Sequence, residues 1–282
     1  MSFTTLIDAQ ALRAALAGAT PPVLLDASFD LADTQAGERS WLEGHLPGAR
    51  YVHLDRDLSG PKTGLNGRHP LPSREAFAAA VGAWGIGPDT QVVVYDRQQA
   101  MFAARPWWML RWLGHEAVAV LDGGVAAWLA AGGTLVQAPP GAAPRPPYPA
   151  RPSRAPSIDA DMLQQELGRV RLLDARAPER FRGEVEPLDK QAGHIPGAVN
   201  RFFKDNLAAD GRFKPAAQLR ADFTGLLGAQ TAADTVHQCG SGVTACHNLL
   251  AMEHAGLPGS LLYPGSWSEW ASDPARPVAR GG

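Results

Sequence analysis

Cysteine is scarce in this chain: its 282 residues contain two, Cys239 and Cys246. Two cysteines cannot build the disulfide framework of a small secreted domain. They also fall short of a zinc site, which needs about four ligands, so we expect no metal. The cysteine content therefore favours a reduced protein of the cytoplasm.

The sequence also lacks any excess of charge and any long apolar run. Its formal net charge is −2 and it has no basic run, so we expect no binding to nucleic acid or to anionic lipid. No apolar stretch approaches the ~18 residues of a membrane-spanning helix. The first eight residues do not resemble a secretory signal, which has a basic and then an apolar segment. We therefore predict a cytoplasmic protein that contacts neither nucleic acid nor membrane.

Four short motifs occur twice in the same order, which indicates two copies of one domain. They are an apolar strand ending in Asp-Ala, a Gly-His-x-Pro-Gly-Ala turn, a second apolar strand, and a closing segment that ends in tryptophan. The four pairs are Leu24–Ser28 and Leu172–Arg176, Gly44–Ala49 and Gly193–Ala198, Val92–Arg97 and Val236–Cys239, and Leu121–Trp128 and Tyr263–Trp270.

A proline-rich stretch separates the two copies. Residues 137–152 contain so many prolines that neither a helix interior nor a central strand can form there. Such a composition is typical of a semi-rigid, extended linker. We predict a first domain over 1–137, a linker over 138–156 and a second domain over 157–282.

Within each copy, short apolar strands alternate with helical stretches. Val92–Tyr95 and Val118–Leu121 are apolar on both faces, which is typical of a buried parallel sheet. Arg74–Trp84 has helical spacing, with Ser73 placed as its N-cap. The alternation predicts an α/β fold in which each mainly parallel sheet has helices on both faces. Ligands of such folds lie at the carboxyl ends of strands, where Cys239 falls.

Cys239 precedes a glycine-rich loop and then a helical pattern. Gly240 and Gly242 allow the backbone to curl so that successive N–H groups face an anion. The N-terminus of the following helix adds partial positive charge, and both features favour thiolate over thiol. The hydroxyls of Ser241 and Thr244 can add neutral donors. The alternative is an inert, buried cysteine that packs as a small hydrophobic residue.

The loop, the paired Gly-His-x-Pro-Gly-Ala motifs and the closing segment Gly265–Trp270 resemble those of two-domain rhodanese-type sulfurtransferases. The resemblance covers nearly the whole chain and implies tandem rhodanese-like domains. It implies transfer of a sulfur atom from a small anionic donor, through a Cys239 persulfide, without a cofactor. The implied acceptor is cyanide or a thiol, such as thioredoxin or a low-molecular-weight thiol. The Gly-Ser-Gly-Val-Thr loop is more similar to the 3-mercaptopyruvate branch, although thiosulfate remains a possible donor.

The resemblance also implies that the first copy is catalytically silent. Asp96 stands there in the place that Cys239 takes in the second copy. A carboxylate cannot carry a persulfide. We therefore expect one active cysteine per chain.

The resemblance further implies a set of substrate-binding residues. Arg180 matches the family's substrate-binding arginine, and a planar guanidinium binds a carboxylate through two hydrogen bonds. The mercaptopyruvate branch has a second arginine after a Glu-Pro pair. No arginine follows Glu186-Pro187 here, so Lys190 is the candidate substitute. The expected set is completed by the loop residues Gly240, Gly242, Val243 and Thr244.

Two residues of the first copy match positions that the family uses near its substrate. They are Asp55 and His69. His69 can donate a hydrogen bond or move a proton, and Asp55 can orient it. Together with Ser241, they are predicted to form a polar relay at the carbonyl of the substrate.

Three other functions remain open from the residues alone. A phosphatase of this fold needs an arginine where Ala245 stands, which argues against that activity. A persulfide carrier or sensor would use Cys239 to bind sulfur with little turnover. Dithiol redox chemistry would require Cys246, although its position along the helix favours packing.

Overall fold

The computed structural model describes residues 2–282, and they divide into two compact units. The first unit comprises the chain up to Ser59, Pro72–Arg154 and Asp210–Arg212. The second comprises Gly60–Leu71, Ala155–Ala209 and Phe213–Gly282. The predicted linear boundaries, 1–137 and 157–282, stay a prediction. The division itself differs from them chiefly at Gly60–Leu71, which packs with the second unit and brings His69 there.

The first unit contains a five-stranded parallel sheet in the order β1-β5-β4-β2-β3. Its central strand β4 is buried along its whole length, as expected for the run of valines that it contains. The strands are β1 (Leu6–Ile7), β2 (Val23–Asp26), β3 (Arg50–Tyr51), β4 (Val92–Tyr95) and β5 (Val118–Leu121).

Five helices flank this sheet. Asp8 caps the first of them by accepting the N–H of Ala11 at 2.8 Å. Ser73 caps the third by accepting the N–H of Ala76 at 3.1 Å, which is the role that the sequence predicts for it. The helices are α1 (Ala9–Leu16), α2 (Ala36–Glu43), α3 (Arg74–Ala83), α4 (Ala104–Trp112) and α5 (Gly124–Ala130).

The second unit contains a four-stranded parallel sheet in the order β7-β6-β8-β9. Its strands are β6 (Arg171–Asp174), β7 (Val199–Asn200), β8 (Thr235–Gln238) and β9 (Leu261–Leu262). Its helices are α6 (Ala160–Glu166), α7 (Pro178–Phe181), α8 (Ala216–Leu227), α9 (Ala245–His254) and α10 (Ser266–Trp270), with short 3₁₀ turns at Phe203–Asn206 and Ala232–Asp234.

The two units repeat one topology, as the duplicated motifs predict. The order β7-β6-β8-β9 corresponds to β3-β2-β4-β5, and a parallel bridge between Ser157 and Leu262 takes the place of the β1–β5 pairing. The predicted α/β fold with two parallel sheets flanked by helices is confirmed. Among residues 2–282, no helix is long and apolar enough to cross a bilayer.

The repeated histidines hold corresponding turns in the two units. Nδ1 of His45 lies 2.7 Å from the carbonyl oxygen of Trp41, and their rings stack. Nδ1 of His194 lies 2.8 Å from the carbonyl oxygen of Phe181, and those rings stack as well. This shared geometry gives both histidines a structural role in the turns that precede β3 and β7.

The proline-rich stretch lies against the first unit. Arg145 donates its N–H to the carbonyl of Gly82 at 2.8 Å, and Tyr148 donates its N–H to that of Ala78 at 2.9 Å. Both acceptors belong to α3. Part of the predicted linker, around Arg145 and Tyr148, is therefore bonded to this helix.

Candidate active site

Cys239 lies directly after β8, at the carboxyl end of the second sheet. It is buried, with 2% of its surface exposed. Its N–H donates to Oγ of Ser266 at 3.1 Å, and its carbonyl accepts the N–H of Trp267 at 3.0 Å. The start of α10 therefore fixes the backbone of the cysteine.

The loop after Cys239 needs glycine at two positions, for two different reasons. Gly242 has a φ of 74°, and a Cβ there would lie 2.3 Å from the carbonyl oxygen of Pro264. A side chain at this position would therefore be both strained and in collision with backbone. A Cβ on Gly240 would lie 2.9 Å from Nη2 of Arg68 and 3.4 Å from Nη1 of Arg180. Gly240 thus permits two guanidinium groups to approach the backbone next to Cys239.

The rest of the loop leads into α9. Val243 is buried and Thr244 is half-buried, immediately before the first residue of this helix. The helix N-terminus directs its partial positive charge toward the loop. These positions agree with a substrate-binding role for both residues, which stays a prediction.

The corresponding loop of the first unit shows how such a turn holds an anion. There the carboxylate of Asp96 accepts four backbone N–H groups, each at 2.9 Å. The donors are Gln98, Ala100, Phe102 and Ala103. Burial raises the pKa of Asp96, and the four backbone donors oppose that rise. This loop is two residues longer than the one after Cys239, so the donors do not correspond one to one.

Ser241 and His69 lie in hydrogen-bonding contact. Oγ of Ser241 is 2.8 Å from Nδ1 of His69, and both side chains are buried. The two residues are far apart in sequence, and the packing of Gly60–Leu71 with the second unit brings them together. The contact agrees with the predicted relay, which stays a prediction.

Asp55 belongs to the first unit. It follows β3 in a turn, is half-buried, and donates its backbone N–H to Nδ1 of His53 at 3.1 Å. Its part in the relay stays a prediction.

Arg180 projects from α7 toward the loop and has an unpredicted neighbour, Arg68. The N–H of Arg68 donates to Oγ of Ser268 at 3.0 Å, and the N–H of Ser268 donates to the carbonyl of Gly240 at 2.9 Å. One short helix, α10, therefore positions both Arg68 and the loop. Sequence reasoning missed Arg68, although it directly precedes His69 in the chain.

Both arginines contact an acidic residue that sequence reasoning also missed. Asp189 forms an ion pair with Arg68, and its Oδ2 lies 3.2 Å from Nη2 of Arg180. Glu186 is 2.7 Å from Arg180 and 3.5 Å from Arg176. Burial raises the pKa of Asp189, while the nearby Arg68 lowers it and the like charge of Glu186 raises it further.

Lys190 follows this acidic residue and is exposed. It lines a groove of about 230 Å³ together with Lys62 and Arg68. The groove adjoins the arginine that lies beside Gly240. Lys190 therefore stays a candidate for attracting an anion, and Arg68 is a second cation in direct proximity to the loop.

Cys246 lies inside α9 and is fully buried. Its Sγ donates to the carbonyl oxygen of Gly242 at 3.4 Å. This environment agrees with the packing role that the sequence favours for the second cysteine.

Comparison with known proteins supports the family to which the site points. The rhodanese-like domain family matches residues 8–131 and 159–273. A Pseudomonas aeruginosa protein named "Probable 3-mercaptopyruvate sulfurtransferase" is 50% identical over 286 residues, covering 100% of both chains. The bovine thiosulfate sulfurtransferase is 36% identical over 88% of this chain and 84% of its own.

A solved structure gives the same result. The 3-mercaptopyruvate sulfurtransferase SseA from Escherichia coli is similar with a TM-score of 0.78 and 30% identity, over 95% of this chain and 100% of its own. The chain belongs to the rhodanese family, as a two-domain sulfurtransferase. The resemblance inferred from the motifs, and the enzyme class that it implied, are confirmed.

Proposed function

We propose that this enzyme transfers a sulfur atom from a small anionic donor to a thiol or to cyanide, through a persulfide on Cys239. The observation that carries the proposal is the placement of Cys239 at a strand end, beside Gly240 and two guanidinium groups. The backbone of the cysteine is fixed by hydrogen bonds, so its thiol has a defined position. The neighbouring cations can bind a carboxylate or a sulfur oxyanion.

The proposed first step is attack by the Cys239 thiolate on the sulfur atom of the donor. A sulfur–sulfur bond forms at Cys239, and the donor's own bond to that sulfur breaks with its electron pair. From 3-mercaptopyruvate, the pair leaves on the enolate of pyruvate, which then takes a proton. From thiosulfate, it leaves on sulfite.

The second step returns the cysteine to its resting state. An acceptor thiolate, or cyanide, attacks the outer sulfur of the persulfide, and the electron pair of the broken bond returns to Cys239. The products are a new persulfide or thiocyanate. Atoms and electrons balance without a metal or an organic cofactor.

3-Mercaptopyruvate is the donor that we favour. Its carbonyl oxygen gains negative charge in the first step, and the Ser241–His69 pair can donate a hydrogen bond to it. The loop residues Ser241, Val243 and Thr244 are uncharged, as in the mercaptopyruvate branch. Relatives of this chain are named for both donors, so thiosulfate is kept as a second substrate.

Thioredoxin and low-molecular-weight thiols are the proposed acceptors, with cyanide as a further one. With any of these acceptors, the first step with the donor requires Cys239 as a reduced thiol. A reducing compartment keeps it so, which supports a cytoplasmic location.

The test is steady-state kinetics with each donor and one acceptor, with Cys239→Ser as control. We expect a higher kcat/KM for 3-mercaptopyruvate, no turnover by the variant, and a mass increase of one sulfur atom on wild-type protein treated with donor alone. Preference for thiosulfate would overturn the donor assignment. The mass increase without multiple turnover would favour the carrier function, and turnover by Cys239→Ser would refute the persulfide.

A further inference from the structure

Two guanidinium groups beside the Cys239 loop share one carboxylate. Arg68 and Arg180 both lie close to Gly240, and both contact Asp189. The Asp189 side chain is 5% exposed, whereas those of Arg68 and Arg180 are 27% and 17% exposed. Both arginines are therefore partly exposed to solvent, while the buried carboxylate of Asp189 already neutralises part of their charge.

The shared carboxylate lies on an irregular segment that follows α7. Within this segment Glu186 acts as the anchor, because its Oε1 accepts the backbone N–H groups of Leu188 at 3.0 Å and Asp189 at 3.2 Å. Leu188 and Lys190, on either side of Asp189, are exposed. Asp189 is thus a buried side chain between two exposed ones. The short turn that carries it is stabilised by the side chain of Glu186.

The charges in this part of the site cancel. Arg68 and Arg180 are matched by Asp189 and Glu186, and Arg176 is matched by Asp174 at 2.7 Å. An anion that entered here would meet arginines whose charge is already compensated. For the anion to bind both guanidinium groups, it must displace one of the protein carboxylates that now contact them.

Of these carboxylates, that of Asp189 is the one that an incoming anion can displace most readily. Its contacts are to the two arginines, while Glu186 is also tied to Arg176 and to the backbone of its own turn. Burial raises the pKa of Asp189, and Glu186 opposes its ionisation. Within residues 2–282, Nε of Arg180 is buried and has no hydrogen-bond partner, so this arginine has a donor to spare.

We propose that Asp189 occupies an anion subsite formed by Arg68 and Arg180, and that the anionic group of the sulfur donor takes its place on binding. The inference rests on the proposed sulfurtransferase function and adds two residues to it. Arg68 supplies the second cation that the segment after Glu186-Pro187 lacks. Asp189 tunes the affinity for the donor, since every carboxylate or sulfur oxyanion must compete with it.

The test measures anion binding without turnover. In the Cys239→Ser chain, the dissociation constants of pyruvate and of sulfite are determined by calorimetry, alone and combined with Asp189→Asn, Arg68→Gln or Glu184→Gln. Glu184 lies on the same segment, is exposed and pairs with the exposed Arg182, so it is the matched control. We expect about tenfold tighter binding with Asp189→Asn, about tenfold weaker binding with Arg68→Gln, and no change with Glu184→Gln.

The outcomes separate the inference from the function on which it rests. Unchanged or weaker anion binding by Asp189→Asn would mean that Asp189 positions the arginines, and the inference would be wrong even if the wild type transfers sulfur. No binding of either anion by any variant would also overturn it. Asp189→Ser provides a second variant should Asp189→Asn unfold.

The same substitution is then placed in the active chain. There Asp189→Asn should lower the donor KM by the factor found for binding and leave kcat unchanged. If the variants bind anions as expected but the wild type transfers no sulfur, the anion subsite is supported and the proposed function is wrong.

Discussion

The backbone N–H of Cys239 donates to Oγ of Ser266, and that hydroxyl in turn donates to the carbonyl of Tyr263 at 2.9 Å. Ser266 has a φ of 53°, a left-handed conformation that a residue with a side chain rarely adopts. The corresponding position of the first unit is Gly124, with a φ of 55°. The second unit therefore keeps the same backbone turn with a serine, and the hydroxyl of that serine contacts the backbone of Cys239.

This arrangement predicts different effects for two small substitutions at Ser266. Ser266→Ala keeps the strained φ and leaves the buried N–H of Cys239 without the hydroxyl, which costs about 1–3 kcal/mol of unfolding free energy. Ser266→Gly loses the same bond but relieves a strain of about 1 kcal/mol. Urea unfolding should therefore rank wild type above Ser266→Gly, and Ser266→Gly above Ser266→Ala. Equal stability of the two variants would show that the strain is absent.

Gly240 and Gly242, in the loop after Cys239, predict different losses of activity on substitution. Gly242→Ala should abolish turnover, because its Cβ collides with the carbonyl of Pro264. Gly240→Ala should retain some turnover with a raised donor KM, because flexible arginine ends can shift away. Gly225→Ala, in open space on α8, is the control and should gain up to about 1 kcal/mol of stability. A higher donor KM for Gly225→Ala, or an unchanged one for Gly240→Ala, would contradict this account.

The contact between Ser241 and His69 predicts a loss that depends on the donor. Ser241→Ala and His69→Gln should each lower kcat/KM for 3-mercaptopyruvate by about 10²-fold or more, because they remove a donor to its carbonyl oxygen. Thiosulfate has no carbonyl, so its kcat/KM should change much less. Equal losses with both donors would mean that the pair supports the loop and takes no part in the chemistry.

The buried position of Cys246 predicts that it is dispensable for turnover. Cys246→Ala removes a packed sulfur and should cost about 1 kcal/mol or more of unfolding free energy, with kcat/KM little changed. Cys246→Ser, which keeps a hydrogen-bond donor near Gly242, serves as the matched variant. Loss of turnover in both folded variants would instead support dithiol redox chemistry.

Local patterns predicted the fold and the centre of the site, while long-range packing supplied the rest. The duplicated motifs, the valine strands and the glycines around Cys239 each carry their meaning within a few residues. Arg68 and Asp189 are far apart in sequence, and neither stands in a motif. Their contact depends on where Gly60–Leu71 packs, which neither periodicity nor proline content encodes.

The pairing of charges in the site could not be predicted from the sequence for the same reason. The sequence indicates Lys190 as the substitute for a missing arginine, because it follows the Glu-Pro pair. The structure shows another arginine, from an earlier part of the chain, beside the loop. A count of charges along the chain cannot indicate which carboxylate neutralises which cation.

His237 predicts a specific dependence of stability on pH. It is fully buried on β8, where burial lowers its pKa to about 3, from 6.5 for an exposed histidine. Between these values the unfolded chain binds a proton that the folded chain does not, so the free energy of unfolding falls as pH falls below 6.5. Its Nε2 lies 3.1 Å from Sδ of Met252, and a thioether sulfur is only a weak hydrogen-bond acceptor.

Removing this histidine should therefore flatten the acid side of the stability profile. His237→Gln should show a smaller decrease in the free energy of unfolding between pH 6.5 and about pH 4 than the wild type, as measured by urea titration at each pH. His254→Gln, at the half-buried C-terminal end of α9, leaves His237 in place and should not flatten the profile over that interval. The carboxyls with raised pKa, including Asp26 and Glu269, contribute the opposite slope in all three proteins and cancel in the difference. Parallel profiles for wild type and His237→Gln would show that His237 is protonated in the folded chain.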